Sequence, residues 1–354
     1  MRSTKKPASP QKIRSTSELA KVLNLSRWTV SRVLNGHPGV HPDTVARVQA
    51  AIQEYGFTPN PHAQGLRRGR LDRVGVCVPD ADLLFLGRKL ELLHQTLDAA
   101  GVPLLVGLTD GSREEEIETL NHFRASRVAA VALFASQLPD DHPAITQLGS
   151  IPLVSIDPVA PLSRCRSGGI LSVQIDRATG MREAMAHLYD LGHRHFATLG
   201  IDGEGSYTQI RLQAVVDFLV SKQLSPETHL HRYPLPDPDN LYEAGRLSAE
   251  RYFPSPATAI LALNDRVAIG LLDGLRQRGM HVPGDYSIVG YDNMEVAEYL
   301  YPALTTIDAK PRQLIEQAVA LLLAAMRSET ESATTQALPS SLVVRASTGC
   351  ARRK

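Results

Sequence analysis

Residues Leu25-Ser26-Arg27-Trp28-Thr29-Val30-Ser31-Arg32-Val33-Leu34-Asn35-Gly36 decide how the amino-terminal part of this 354-residue chain folds. Ser26 is a helix-capping residue type, because its hydroxyl oxygen accepts from a first-turn backbone N–H. Val30, Val33 and Leu34 follow at the i, i+3, i+4 spacing of a helix with one apolar face. Asn35-Gly36 ends the run, both residues tolerating the left-handed conformation that closes helices. With the apolar residues turned inward, Arg27, Trp28, Ser31 and Arg32 are left outward near the amino-terminal end. That is the end a recognition helix presents to the DNA major groove. Arg grips guanine bidentately, while Ser and Thr hydroxyls suit base edges or phosphates. Taken alone, the segment is also compatible with a surface helix bearing incidental charges.

Working outward, Ser15-Thr16-Ser17-Glu18 reads as a capping box, with Leu19 and Leu23 four apart on one face and Ala20 small enough to admit a close neighbour. Asn24 supplies the turn. A third helix starts near His41-Pro42, proline suiting a first helical position, and buries Val45, Val48 and Ile52 before Tyr55-Gly56-Phe57-Thr58-Pro59 ends it. Residues 15–58 thus predict a compact three-helix head behind a disordered basic tail over 1–14. Residues 1–73 carry 13 Lys+Arg against 4 Asp+Glu, whereas the remainder carries 25 against 33, so a net charge of only +1 hides a basic head on an acidic body. Such a partition points to a polyanion met by the head alone.

From Arg73 the pattern changes. Short apolar runs (Val74–Val78, Leu104–Val106, Val128–Phe134, Leu153–Ile156, Ile170–Ile175, Phe196–Leu199, Ala259–Leu263, Ser287–Val289) alternate with helix-length segments such as Arg88–Ala100 and Arg177–Leu191. Continuous apolar strands between helices predict parallel sheets covered on both faces. About 280 residues of this exceed one usual core, so two sheets in two lobes are expected. Ser328–Pro339 reads as a surface loop before a last strand, Ser341–Arg345.

The run SELAKVLNLSRWTVSRVLNG, followed by GVHPDTVARVQAAIQEYGFTPNPHAQGLRRGR and RVGVCVPD, resembles the lactose-repressor (LacI/GalR) family of bacterial regulators. The likeness continues through SVQIDRATGMREAMAHLYDLGHRHFATLG, the stretch from AILALNDRVAIG to LTTID, and LVVRASTG, covering nearly everything from Ser15 to Gly349 in family order. It implies a helix-turn-helix head, a hinge helix, and an α/β two-lobed, periplasmic-binding-protein-like (type I) effector domain with parallel sheets, assembled as a dimer or tetramer. The expected boundaries are 59–70 for the hinge and 71–354 for effector binding and dimerisation. Lobe 1 is placed at about 71–159 and 291–323, lobe 2 at about 160–290 and 324–349. By position, Arg27 and Trp28 stand where family members vary the residues that choose the operator; Ser26 caps the helix they begin. Thr29, Ser31 and Arg32 match a run implicated in phosphate and base contacts, which Asn35 closes. Trp28 is unusual in character: it is read either as packing on a thymine methyl or sugar, or as a partly buried core aromatic. In the hinge, Asn60, Gln64 and Leu66 are expected at DNA, Leu66 as the wedge that opens a minor-groove base step. Gly65 weakens that helix by up to about 1 kcal/mol relative to Ala.

Two α/β lobes leave a cleft at the carboxyl ends of their strands, where ligands of open sheets bind. Asp82 and Phe85 fall on family effector positions after the first strand, and Arg211 on that of an arginine that grips a hydroxyl or carboxylate. Asp265 is expected to accept sugar hydroxyls at a helix start. Asp157 and Asp292 end apolar runs and could reach the cleft, with capping or ion pairing as the alternative for all three acids. Several carboxylates beside an aromatic favour a sugar or sugar derivative; a purine or phosphorylated sugar is the alternative through Arg211.

Nothing points to catalysis: GxSxG, P-loop, HExxH and Rossmann motifs are absent, so no cofactor or metal is expected and the chain reads as a non-enzyme. Cys77, Cys165 and Cys350 are scattered, with no CxxC, which argues for a reducing cytoplasm. No apolar stretch approaches the length of a membrane span, and the start carries no apolar core of a secretory signal. A transport binding protein would share the body but not the head. The expected partners are therefore double-stranded, pseudo-palindromic operator DNA, a small-molecule effector and a second copy of the chain, with a homodimer as the default and a tetramer as the alternative.

Overall fold

The computed structural model describes residues 13, 15–34, 37–57, 73–79, 83–159, 170–201, 206–237, 239–329 and 335–352. The chain separates into two compact units, one formed around the first 72 residues and one holding nearly all of Arg73–Lys354. In the head, α1 (Thr16–Leu23) is capped by Ser15, whose Oγ accepts from Glu18 N at 3.1 Å. It closes at Asn24, in the left-handed region at φ 51°, with Leu25 N donating to Ala20 O. Next come α2 (Arg27–Leu34) and α3 (Pro42–Tyr55), the latter ended by Gly56 at φ 57°. His41 makes no side-chain cap at the start of α3. Leu19, Val30, Val48, Ala51 and Phe57 fill the small core.

The body holds two six-stranded sheets. β1 (Val74–Pro79), β2 (Leu104–Thr109), β3 (Ala130–Phe134), β4 (Leu153–Ile156) and β5 (Leu171–Asp176) lie in the first, ordered β2-β1-β3-β4-β5 with β11 (Thr335–Pro339) at the far edge, all parallel. Helices α4 (Leu83–Ala99), α5 (Arg113–Ala125) and the short α6 (Pro143–Thr146) fall between these strands. The second sheet runs β7 (Leu230–Tyr233), β6 (Phe196–Leu199), β8 (Ala259–Ala262), β9 (Ser287–Tyr291), β10 (Thr305–Asp308), β12 (Ser341–Val343); only β12 is antiparallel to its neighbour. Its helices are α7 (Arg177–Asp190), α8 (Ser206–Ser221), the short α9 (Pro226–His229), α10 (Leu241–Tyr252) and α11 (Asp265–Gln277). Finally α12 (Pro311–Met326) returns to the first sheet and packs on α4, β3, β4 and β5.

Two of the expected features are corrected. The chain first leaves sheet one after Asp176, not near residue 160, because β5 pairs with β4 in the register Val154↔Leu171. It returns after Asp308, since β10 pairs with β9 rather than joining lobe 1 at residue 291. The segment expected as a loop before the last strand contains β11, a polar edge strand paired to β5 through Thr335↔Ser172. A third crossing therefore lies at Ser340, whose Oγ donates to Asp176 O at 2.7 Å and accepts from Gly180 N at 3.1 Å, tying two crossings together. In lobe 2, α10 and α11 touch backbone to backbone: a Cβ at Gly270 would strike Tyr242 O, and one at Gly245 would strike Val267 O.

Candidate nucleic-acid interface and ligand cleft

In the head, the helical period sorts α2 into two faces. Val30 is fully buried, whereas Arg27 and Trp28 are exposed, Trp28 at 68% of its surface. The indole is therefore not a core aromatic. Ser26 Oγ accepts from Thr29 N at 2.9 Å and lies 2.8 Å from Thr29 Oγ1, so both hydroxyls are committed to starting the helix. The Arg32 guanidinium lies 4.8 Å from the Trp28 ring centroid and donates to Pro38 O, which braces the indole from behind. Ser31 is half-buried. The amino-terminal end of α2 thus offers solvent a guanidinium and an indole side by side. Asn35, Asn60, Gln64 and Leu66 lie outside the described residues.

In the body, a cavity of about 340 Å³ opens at the carboxyl ends of the strands of both sheets. Pro79, Ala135, Asp157 and Arg177 line it at the ends of β1, β3, β4 and β5; Asn264, Asp292 and Ala309 do so after β8, β9 and β10. Lys89 of α4 and Tyr207 and Arg211 of α8 complete its polar wall, with Phe134, Ile156 and Tyr291 among its apolar surfaces. Asp157 and Asp292 both occupy positive φ, at 54° and 104°, a region Asp tolerates better than most side chains.

Asp157 is already engaged. Arg177 donates to both of its oxygens, at 2.9 and 2.6 Å, Ile175 N donates at 3.2 Å, and Lys89 Nζ stands 3.9 Å away. Burial disfavours its charge, but the two cations outweigh burial and hold the carboxyl below its ordinary range. Arg177 also lies 3.7 Å from the centroid of Tyr207, whose hydroxyl donates to Asp157 O. Arg211 stacks 3.5 Å from the Tyr291 centroid and donates Nη1 to Leu263 O at 2.8 Å, its Nε having no hydrogen-bond partner among the described residues. Burial pushes its basicity down, against the pull of Tyr291 and Asp292. Burial likewise lowers Lys89, opposed by Asp157 and Asp292.

Asp265 is not in the cleft. Its carboxylate turns into lobe 2, accepting from Thr306 Oγ1 at 2.5 Å and Met294 N at 2.7 Å and packing on Gly290. Burial, reinforced by the nearby Asp292 charge, pushes it up to about 7. Its neighbour Asn264 faces the cavity instead, its Oδ1 accepting from Val267 N at 3.1 Å to cap α11 and its amide nitrogen left to donate. Asp82 and the Phe85 side chain lie outside the described residues. Sequence reasoning missed Lys89, Arg177, Tyr207 and Tyr291. The signals were present: a lysine three residues before Leu92 and four before Leu93, on an apolar face, and an arginine directly after a strand.

Residues 17–60 match the model of the lacI family of bacterial regulatory proteins, and residues 185–348 that of a periplasmic binding protein-like domain. The transcriptional repressor CytR of Escherichia coli K12 is 27% identical over 334 residues, covering 94% of this chain and 95% of that protein. The crystal structure of the lac repressor dimer bound to operator and the anti-inducer ONPF is similar at TM-score 0.80 and 25% identity, over 95% of this chain and 99% of that one. A cellobiose complex of the transcriptional regulator CelR matches at TM-score 0.65 and 25% identity, over 95% of this chain and 100% of that one.

Proposed function

Because the chain belongs to the LacI family of bacterial regulatory proteins, we propose that it is a transcriptional repressor whose grip on operator DNA is set by a small molecule held between its two lobes. The carrying observation is the union, in one chain, of an α2 that presents Arg27 and Trp28 to solvent and a polar cleft at the strand ends of two sheets. Arg27 takes a base edge in the major groove and Trp28 packs on a thymine methyl or deoxyribose, the apolar side of direct readout. Residues 59–70, with Asn60, Gln64 and Leu66, serve as the hinge at the minor groove. A homodimer places two such heads on a pseudo-palindromic site, as protein two-fold symmetry requires.

A 340 Å³ cavity suits a ligand of sugar size, and the CelR–cellobiose complex supports that class. Asn264, Arg211 and Asp292 are its polar contacts; Asp157 acts through Arg177 and Lys89 rather than by binding directly. Ligand binding shifts the equilibrium between two lobe arrangements, and the shift reaches the head as a change in operator affinity. The chain carries out no reaction of its own and works in the cytoplasm. No helix among the described residues is long and apolar enough to cross a membrane.

The test is operator affinity against salt. Full-length protein binding its site should lose affinity steeply and linearly in log–log form, as phosphate contacts demand. A flat salt response with no preference for any duplex would refute the DNA half of the reading.

A further inference from the structure

Arg32 falls in a run matched to DNA contacts, yet its guanidinium is lodged within the head. It follows Trp28 by four residues on α2, the spacing that sets two side chains of a helix side by side. The guanidinium lies 4.8 Å from the indole centroid and donates Nη2 to Pro38 O. Its Nε is shielded from water and has no hydrogen-bond partner among the described residues. The turn after α2 also touches this residue. His37 N donates to Arg32 O at 3.0 Å, and a Cβ at Gly39 would stand 3.4 Å from Arg32 Nη2. Gly39 holds φ 94°, which side-chain-bearing residues rarely adopt and glycine adopts freely. Arg32 is half-buried, whereas Arg27 and Trp28 on the same helix are exposed. The two arginines of α2 are thus unlike: one stands free in solvent, the other is held by a carbonyl and an aromatic face.

We infer that Arg32 is a positioning residue for operator choice: it fixes the Trp28 indole in one orientation, and Trp28, not Arg32, meets the DNA. This rests on the regulator reading and names a specificity device within it. An exposed side chain loses conformational entropy when it is ordered against a base or a sugar, and that loss weakens binding. A planar guanidinium stacked on the indole, attracted by the ring quadrupole, orders it beforehand. Because the same guanidinium is tied to Pro38, the orientation of the indole depends on the turn before α3 as well as on α2. Lysine at this position would keep the positive charge and lose the planar stack.

Trp28 is the only tryptophan of the chain, so its emission reports this contact directly. The experiment begins with time-resolved fluorescence anisotropy of the full chain without DNA. Arg32→Ala and Arg32→Lys should each enlarge the fast component of the decay, the local motion of the indole, while Arg27→Ala should not. Arg32→Lys carries the test should Arg32→Ala loosen the head. Affinity for the duplex selected by the wild type is then measured against salt for Arg32→Ala, Trp28→Ala and the double variant. Arg32→Ala should weaken binding by about three- to tenfold with an unchanged salt slope, and relax the same base position as Trp28→Ala. In the Trp28→Ala background the same change should cost less than about twofold. An unchanged anisotropy decay in the Arg32 variants would overturn the inference without any DNA. So would additive losses, full affinity in Arg32→Lys, or a salt slope smaller by about 0.9, the signature of a lost phosphate contact. If the wild type prefers no sequence, the regulator reading falls and this inference with it. If it does and Arg32 behaves as an independent contact, only the inference falls.

Discussion

The head leaves its cations in water and the cleft buries them, and the two arrangements answer different needs. Arg27 stands exposed at the start of α2, whereas Lys89, Arg177 and Arg211 are under 10% exposed around the cavity. An exposed charge costs little to keep, adds little to stability and is screened by salt. Such a residue is free to be chosen for its partner, here a polyanion. A buried charge is expensive until matched, so its neighbours are constrained: Asp157 exists in this wall to match Arg177 and Lys89. The head can therefore change its operator by changing surface residues at small cost in folding. The cleft cannot change its ligand without rebuilding a charge network.

The largest expected effect breaks that network. Arg177→Met strips Asp157 of its two-pronged partner and should cost about 3–5 kcal/mol in chemical denaturation, while Arg27→Met should stay within about 0.5 kcal/mol. Similar losses for both would erase the distinction between the regions.

A comparable effect, read through pH, concerns Asp265, a buried acid with its own structural duty. Its native carboxyl, raised to about 7 against an ordinary 3.8, binds its proton more tightly folded than unfolded. Wild-type stability should therefore fall as pH rises through the window from about 4 to 7. Asp265→Asn cannot ionise, so its stability relative to wild type should improve across that window by about 4 kcal/mol. Parallel pH curves for the two proteins would show that Asp265 is not desolvated as described.

The smallest effect lies in the head. Ser26→Ala removes the cap at the start of α2 and should cost about 1 kcal/mol. A body-centred loss of ligand-induced stabilisation in that variant would be unexpected and would sharpen the case for coupling between sites.

Much of this was readable in the chain because it is local. Ser15 and Asn24 announce the ends of α1, and the spacing of Val30, Val33 and Leu34 turns Arg27 and Trp28 outward. The strand-end rule also led to Asp157 and Asp292 in the cavity wall, and the family resemblance to Arg211. What was not readable depends on partners distant in sequence. An apolar run such as Ile170–Ile175 fits the middle of either sheet, since strands covered on both faces carry no mark of their neighbours. Hence the lobe boundaries shifted, and β11 went unseen because the polar Thr335-Gln336 edge lacks a strand's apolar signature. Asn264 and Asp265 are adjacent where a strand turns into a helix, and one residue of rotation decides which faces the ligand. Lys89 was missed because helical periodicity assigns its face to the core, and only the fold shows that this core opens on a cavity.

The central claim is that α2 reads DNA bases and does so as one of a symmetric pair. Selecting binding sites from random duplexes with the full-length protein tests it most directly, with Arg27→Ala selected in parallel. The account predicts an inverted-repeat consensus for the wild type. For the variant it predicts relaxed preference at one symmetry-related position, worth about 1–3 kcal/mol there, with the other positions kept. No enriched sequence from the wild type, or an Arg27→Ala consensus identical to it at uniformly weaker affinity, would contradict the account.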